Sequence, residues 1–430
     1  MLLPSLLADL LFAVRTPDVR LTVEEPNPAM REVLKKYADA VFRKAALGGG
    51  LTVTGKREEA LRGADCVIYA GDCQPASRFA MDRGALESGQ KEDPGLSDQA
   101  RVNGGIGGLL HTLRAGEEVL RLCEGMAECC PKALVISLGQ PAARICRIFE
   151  SRGFRCLGLG KTPLKGPNGR DTILKRMKIK PDTVRAVVAG LPSFAFLLEL
   201  KKKKTGEDLL PKLEQAARNG ELGTLSRRWL NWWGALPVGD VTDHAEFLPA
   251  QPDFVPEEKP EFGESVERRK ERILSMNTVG DQGADSTEGA MAQLVLLSKA
   301  PPIRPMRLAL TALGAENGTI PAVIHPNRGF LPQLPPDAMV ETDLTFSGGE
   351  AIPEQIWVPE ALAEILTETD ETSRLAAKAA EGDREALREC VETDPALGGL
   401  DRLYCMDVVN ALIELHRDVL PRFRETDPEE

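Results

Sequence analysis

Residues 133–139, Ala-Leu-Val-Ile-Ser-Leu-Gly, decide how the first half of the chain is read. A continuous apolar run of this length ending on glycine predicts a strand covered on both faces, as in parallel sheets flanked by helices. The same pattern repeats outward in both directions. A helix with apolar residues at i, i+3 and i+4 covers about 105–130, and another follows near 141–152. Further strands are read at VRLTV (19–23), LTVTG (51–55), DCVIYAG (65–71) and RCLGLG (155–160), with a helical stretch at 28–47. This alternation predicts an α/β fold, a Rossmann-type doubly wound parallel sheet.

A different architecture begins at VRAVVAGL (184–191). The expected division is a dinucleotide-binding-like domain over 1–195 and an α+β substrate or oligomerisation domain over 196–430. In the second part, the lysines at 201–204 read as a solvated loop and the Pro- and acid-rich stretch 250–265 as an exposed excursion. Helices are expected at about 264–275, 286–299 and through 353–423, and β-type segments at MRLALTAL (306–313) and AMVETDLTF (338–346).

Composition narrows the function classes. With Lys+Arg 54 against Asp+Glu 65 the formal net charge is −11, which repels phosphate backbones and argues against a general nucleic-acid binder. There is no run of 18 apolar residues, so no membrane span is expected. The opening MLLPSLLADLLFAV lacks a basic start and carries Asp9 within its apolar run, so it reads as an amphipathic helix and not a signal peptide. Nine cysteines, an odd number without a CxxC pair, point to reduced thiols in the cytoplasm.

Arg155-Cys-Leu-Gly-Leu-Gly-Lys-Thr comes close to a phosphate loop, but arginine stands where that loop needs its first glycine. A dinucleotide site in this fold needs a first strand, a Gly-rich turn and an acid ending the second strand. VRLTVEE supplies the acid, Glu24, yet LLPSLLADLLFAV already reads as the helix after that turn, leaving no residues for the strand and glycines. A start placed too late and a lost cofactor both explain this. Gly71 would let a cofactor approach the backbone, or simply end a strand in a tight turn. NGGIGG (103–108) precedes a helix whose N–H groups could receive an anion or a sugar hydroxyl.

Several segments, in order, resemble glycoside hydrolase family 4: LLPSLLADLL, REEALRGADCVIYAG, NGGIGGLLHTLR, CPKALVISLGQPA, LGLGKTPLKG, VVAGLPSF, GALPVGDVTDHAEFLP, HPNRGFLPQLPPDAMVE and AAKAAEGDREALRECVETDPAL. The resemblance covers nearly the whole chain. It implies a first domain like that of the lactate and malate dehydrogenases, and use of NAD and a divalent metal, usually manganese. It also implies hydrolysis of O-glycosidic bonds by redox-assisted elimination and addition, outside the two-carboxylate scheme. The substrate would be a small-molecule glycoside and the assembly a homo-oligomer, dimer or tetramer.

The resemblance also locates the departures. The family's cysteine ligand, in a GLCNVP-like turn, aligns with Gly160, and its histidine ligand, in a GLNH segment, aligns with Ser193. Neither offers a thiolate or an imidazole, and Lys161 becomes the candidate substitute cation beside the sugar oxygen. Gln140 replaces the asparagine of TNPA and can touch substrate or ribose, or serve as a turn amide. In GDVTDHAEFLP, Asp240 aligns with a position that acts as base in some members. Asp240 and His244 can do acid–base work, rebuild a metal site or organise a turn through hydrogen bonds. Arg328 belongs to a segment that reaches the sugar pocket, where it would bind a carboxylate or phosphate, or else pair with a surface acid. Trp229, Trp232 and Trp233 offer sugar stacking or ordinary packing.

Overall fold

The computed structural model describes residues 3–12, 19–45, 50–71, 76–89, 93–160, 169–239, 241–250, 266–281 and 304–424. The N-terminal half follows the predicted alternation: α1 (Leu3–Phe12), β1 (Arg20–Glu24), α2 (Pro28–Ala45), β2 (Gly50–Thr54), α3 (Arg57–Leu61), β3 (Cys66–Tyr69), α4 (Ala76–Gly89), α5 (Gly105–Cys129), β4 (Leu134–Ser137), α6 (Ala142–Ser151) and β5 (Cys156–Leu159). The parallel pairing is present in two pieces. β1 pairs with β2 as a separate two-stranded sheet, and β3, β4 and β5 pair in parallel. Among the described residues no strand joins the pieces, so β3 ends its sheet.

Beyond β5 the sheet turns antiparallel. Its order is β3-β4-β5-β9-β10-β6-β7-β8, built with β6 (Val184–Leu191), β7 (Phe194–Lys202), β8 (Leu236–Val238), β9 (Gly318–Pro326) and β10 (Met339–Ser347). The short β11 (Glu350–Ala351) pairs with β10. The result is a Rossmann-like α/β fold with a mixed sheet and a C-terminal α+β part. The expected boundary at 195/196 falls inside β7. β6 and β7 form one hairpin, with Leu191 opposite Phe194, and a cut there would sever its hydrogen bonds.

One segment departs from its expected type. MRLALTAL is helical, within Pro305–Ala312, where β structure was read. Pro305 starts the helix, a position that needs no N–H donor, and Met, Leu and Ala are strong helix formers. Its apolar residues pack into the sheet's core face, so apolar content alone misled the reading. The lysines at 201–204 are exposed, although the first two still belong to β7. The expected helix at 286–299 lies outside the described residues.

α5 is the central rod of one core, buried along most of its length and packed on α6 and on the helix Glu360–Ala380. A charged cluster fastens it inside that core. The fully buried Asp82 of α4 receives Arg114 of α5 at 2.5 and 3.2 Å, and approaches His416 Nε2 at 2.6 Å. Three distant segments thus meet on one carboxylate. His325 of β9 is likewise buried, with Nδ1 2.8 Å from the Pro326 carbonyl and Nε2 2.9 Å from the Thr342 hydroxyl. A carbonyl can only accept, so Nδ1 donates and Nε2 accepts, the bonding of a neutral ring.

Two outcomes follow. Asp82→Ala removes the buried carboxylate that Arg114 and His416 share and should cost about 3–5 kcal/mol in urea unfolding, whereas Asp418→Ala at the exposed Arg78 pair should cost about 0–1 kcal/mol. Burial lowers the His325 pKa from 6.5 to about 4. The unfolded chain then binds more protons between those values, so the stability His325 contributes is present above about pH 6.5 and lost as pH falls towards 4. Urea unfolding of wild type and His325→Gln across pH 4–8 should show their difference constant above 6.5 and shifting against wild type below it.

Candidate functional site

In this fold a ligand sits at the carboxyl ends of the parallel strands. There the chain places Tyr69, Ala70 and Gly71 after β3, Gly139 and Gln140 after β4, and Gly160 after β5. The Pro192–Ser193 turn of the β6–β7 hairpin joins the same region, with Ser193 in a left-handed conformation (φ 65°). Proline followed by a positive-φ residue makes a type II turn, whose third position favours glycine or asparagine, so Ser193 is strained there.

The glycine-rich NGGIGG segment is engaged by carboxylates of the protein itself. Glu246 Oε2 accepts the Asn103 backbone N–H at 2.7 Å and its side-chain amide at 2.9 Å, while Oε1 accepts the Val102 N–H at 3.2 Å. At the start of α5 the Gly105 N–H goes to Asp394 at 3.2 Å. Arg101 donates to the carbonyls of Glu246 and Leu248 at 2.8 and 2.7 Å. Burial pushes the Glu246 and Asp394 carboxyls upward, and their hydrogen bonds pull back. The carboxylates therefore occupy the helix N-terminus that the sequence offered to an anion. Contact is tight, since a Cβ on Gly104 would lie 2.0 Å from the Glu246 carbonyl oxygen.

The cofactor candidates are engaged elsewhere. Glu24 is held by Arg57 Nε at 3.2 Å, and the same guanidinium reaches Glu118. A Cβ on Gly71 or on Gly139 would each meet the Tyr69 ring at 2.7 Å. The space those two glycines leave is therefore filled by Tyr69, 6 % exposed and edge-on to Phe149. The Gln140 amide makes no hydrogen bond to a described residue, and the Gln140–Pro141 bond is cis. Beside it a cavity of ≈ 10 Å³ is lined by Asn103, Pro141, Arg144, Pro192 and Asp370, about enough for one water.

The expected catalytic residues separate. Asp240 and Lys161 lie outside the described residues. His244 is fully buried, with Nε2 3.2 Å from the Val238 carbonyl and its ring among Phe194, Phe196 and Trp229. Of its alternatives, this is the one in which it organises the turn. Trp229 and Trp233 join the same packing, and Trp232 lies half-exposed under Arg228. Arg328 stands at the other end of the sheet. β9 runs antiparallel to β5, which carries Arg328 back past the start of β5, where it is exposed and pairs with Glu150 at 3.7 Å. Of the alternatives for Arg328, pairing with a surface acid is the contact seen in this structure. Arg155 also lies at that end and the chain from Cys156 to Leu159 is strand, so the near phosphate loop has no loop where phosphates would need one.

Glu341 is the residue the sequence reading missed. It projects from β10 between Ile324 of β9 and Gly190 of β6, and is 1 % exposed. Its Oε1 lies 1.3 Å from where a Cβ of residue 160 would sit, and its Oε2 accepts the Ser193 N–H at 3.4 Å. Oε1 has no hydrogen-bond partner among the described residues. Burial, with Asp343 and Asp243 adding like charge, pushes the carboxyl up to about 8 against the pull of the Ser193 N–H. Next to it a bulge in the β9–β10 pairing sets Ala322 at φ 53°, its N–H capped by Asp343 at 3.0 Å. A signal was available, because Glu341 and Asp343 are two acids at alternate positions of a largely buried strand. Among the described residues no group of three or more His, Cys, Asp or Glu side chains could hold a metal.

Comparisons with known proteins agree with this fold. The chain is 28 % identical over 194 residues to an alpha-glucosidase of Erwinia rhapontici, a match spanning 44 % of this chain and 40 % of that protein. Its fold is similar to a 6-phospho-alpha-glucosidase from gut microorganisms solved with NAD and Mn2+ (TM-score 0.70, 16 % identity, 98 % and 97 % of the two chains). It is also similar to the 6-phospho-beta-glucosidase of Thermotoga maritima solved with NAD and glucose-6-phosphate (TM-score 0.66, 14 % identity, 97 % and 95 %).

The tightness of the Glu246 contact can be checked directly. Gly104→Ala should destabilise the chain by at least about 1–3 kcal/mol in urea unfolding, because the clash is with backbone and cannot be relieved by a rotamer. Residues 5–164 match family 4 glycosyl hydrolase and residues 188–397 match that family's C-terminal domain, and the chain belongs to glycoside hydrolase family 4.

Proposed function

We propose that this chain binds a glycoside at the carboxyl ends of β3–β5 as a family 4 member in which the NAD-dependent redox step does not operate. The observation that carries the reading is the Tyr69 ring, which takes the space at Gly71 and Gly139 through which a nicotinamide cofactor would approach the strands. Two further features support it: Glu24 is neutralised by Arg57, and Gly160 and Ser193 bring no thiolate or imidazole to the metal position. Gln140, with its amide uncommitted, is the side chain assigned to a sugar hydroxyl. Assembly into two or four copies and a cytoplasmic setting belong to the same reading.

The second reading is hydrolysis of O-glycosides by redox-assisted elimination and addition. It is favoured by family membership over both parts of the chain. Its candidates would be Asp240 as base and Lys161 as the cation near the sugar oxygen, with NAD and manganese as cofactors.

Calorimetry and turnover separate the two. The first reading expects saturable binding of a glucoside or phosphoglucoside, no heat from NAD, and no aryl-glycoside cleavage with NAD and Mn2+ added. Gln140→Ala should weaken sugar binding about 2- to 10-fold, the worth of one neutral hydrogen bond. NAD-dependent release of the aryl group would overturn it and establish the second.

A further inference from the structure

Basic charge in this acidic chain is concentrated at one end of the β6–β7 hairpin. Lys175, Arg176, Lys178 and Lys180 lie at the close of the helix Arg170–Arg176 and just beyond it, and the lysines at 201–204 are consecutive. The two runs are far apart in sequence and meet because β6 and β7 pair antiparallel. Arg185 stands opposite Lys201 and Val184 opposite Lys202, and the Lys203 N–H donates to the Thr183 carbonyl at 2.9 Å. From 175 to 204 there are nine basic side chains, all exposed, against two acids, in a chain whose net charge is −11. Lys201 is paired with Glu199 and Lys202 with Glu207, each at 2.7 Å, and Arg185 is paired with Glu354. Lys175, Lys178, Lys180, Lys203 and Lys204 have no ion pair with a described residue. One exposed lysine is ordinary. Five uncompensated ones held together by strand pairing repel one another and make a local positive field.

We propose that this end of the hairpin is a docking surface for an acidic peptide segment of a protein partner, held by Lys175, Lys178, Lys180, Lys203 and Lys204. Charge complementarity sets a polyanion as the occupant, and the surroundings of the lysines select its kind. Between 175 and 204 the aromatic side chains are Phe194 and Phe196, both fully buried, so bases of a single-stranded nucleic acid have nothing to stack on. No large apolar side chain is exposed in this stretch to enter a lipid interface. The exposed acids Asp182, Glu207 and Asp208 are set among the cations, so a duplex or a bilayer plane would meet like charge as well. A flexible peptide can set carboxylates against the free lysines and uncharged residues against those acids. The surface lies about 25 Å from the Pro192–Ser193 turn, the length of an eight-residue strand, so docking there is independent of the crevice.

The test titrates full-length protein into a fluorescein-labelled peptide of alternating Glu and Ser and follows anisotropy. Saturable binding is expected, weakening by about 10-fold between about 50 and 200 mM salt, as exposed charges are screened. Lys178→Glu with Lys180→Glu, and Lys203→Glu with Lys204→Glu, should each weaken it by about 10-fold or more. Lys35→Glu with Lys132→Glu makes the same change in net charge at exposed sites elsewhere and should leave affinity within about 2-fold. Circular dichroism checks that all variants fold. Absence of saturable peptide binding at the lower salt overturns the proposal, as does an equal loss in the Lys35/Lys132 variant. Tighter binding of single-stranded RNA or of phosphatidylserine vesicles than of the peptide overturns the choice of partner.

Discussion

The start of α5 is the constraint on which the crevice depends. A long helix directs unpaired N–H groups and partial positive charge from its first turn. In this chain Asp394 answers the first turn itself, while Glu246 holds the strand-like residues leading into it. Both carboxylates come from far along the sequence, and Arg101 ties the Glu246 backbone to the same place. The C-terminal part is therefore not an appended lobe. It supplies the acids that fix where the core helix begins.

The same pattern of self-occupation recurs at the strand ends. Gly71 and Gly139 leave space, and Tyr69 takes it; Gly160 leaves space, and Glu341 takes it. Protein interiors are close-packed, so a glycine in a buried position signals something close by, without saying whether that neighbour is a ligand or the chain itself. An aromatic ring fills its space and is satisfied. A buried carboxylate oxygen with no hydrogen bond is not satisfied, because desolvating it costs free energy that only a donor or a cation offsets. That difference separates the closed end of the crevice at Tyr69 from the chemically open one at Glu341.

Much of the N-terminal fold was legible because strands buried on both faces read as continuous apolar runs, as in ALVISLG, and helices as 3.6-residue periodicity. MRLALTAL was misread because an apolar octamer carries both patterns, and Pro305 just before it was the better guide. The site was less legible. His244 and Arg328 have suitable chemistry in segments of the right family, but which way a side chain faces depends on packing partners distant in sequence. For His244 those partners are aromatic rings from β7 and from the helix Thr224–Trp233. For Arg328 the antiparallel direction of β9 decides, and no local pattern shows that direction.

The sequence by itself determined the α/β class, the order of strands and helices in the first half, the family, and that positions 160 and 193 carry neither a thiolate nor an imidazole. These follow from local periodicity and from residue identity at aligned positions, which need no knowledge of neighbours. Only the tertiary structure decided that β5 is continued by β9 and β10, that Tyr69 covers Gly71 and Gly139, and that Glu341 stands in the place left by Gly160. Each is a contact between residues far apart in the chain, fixed by strand pairing and close packing.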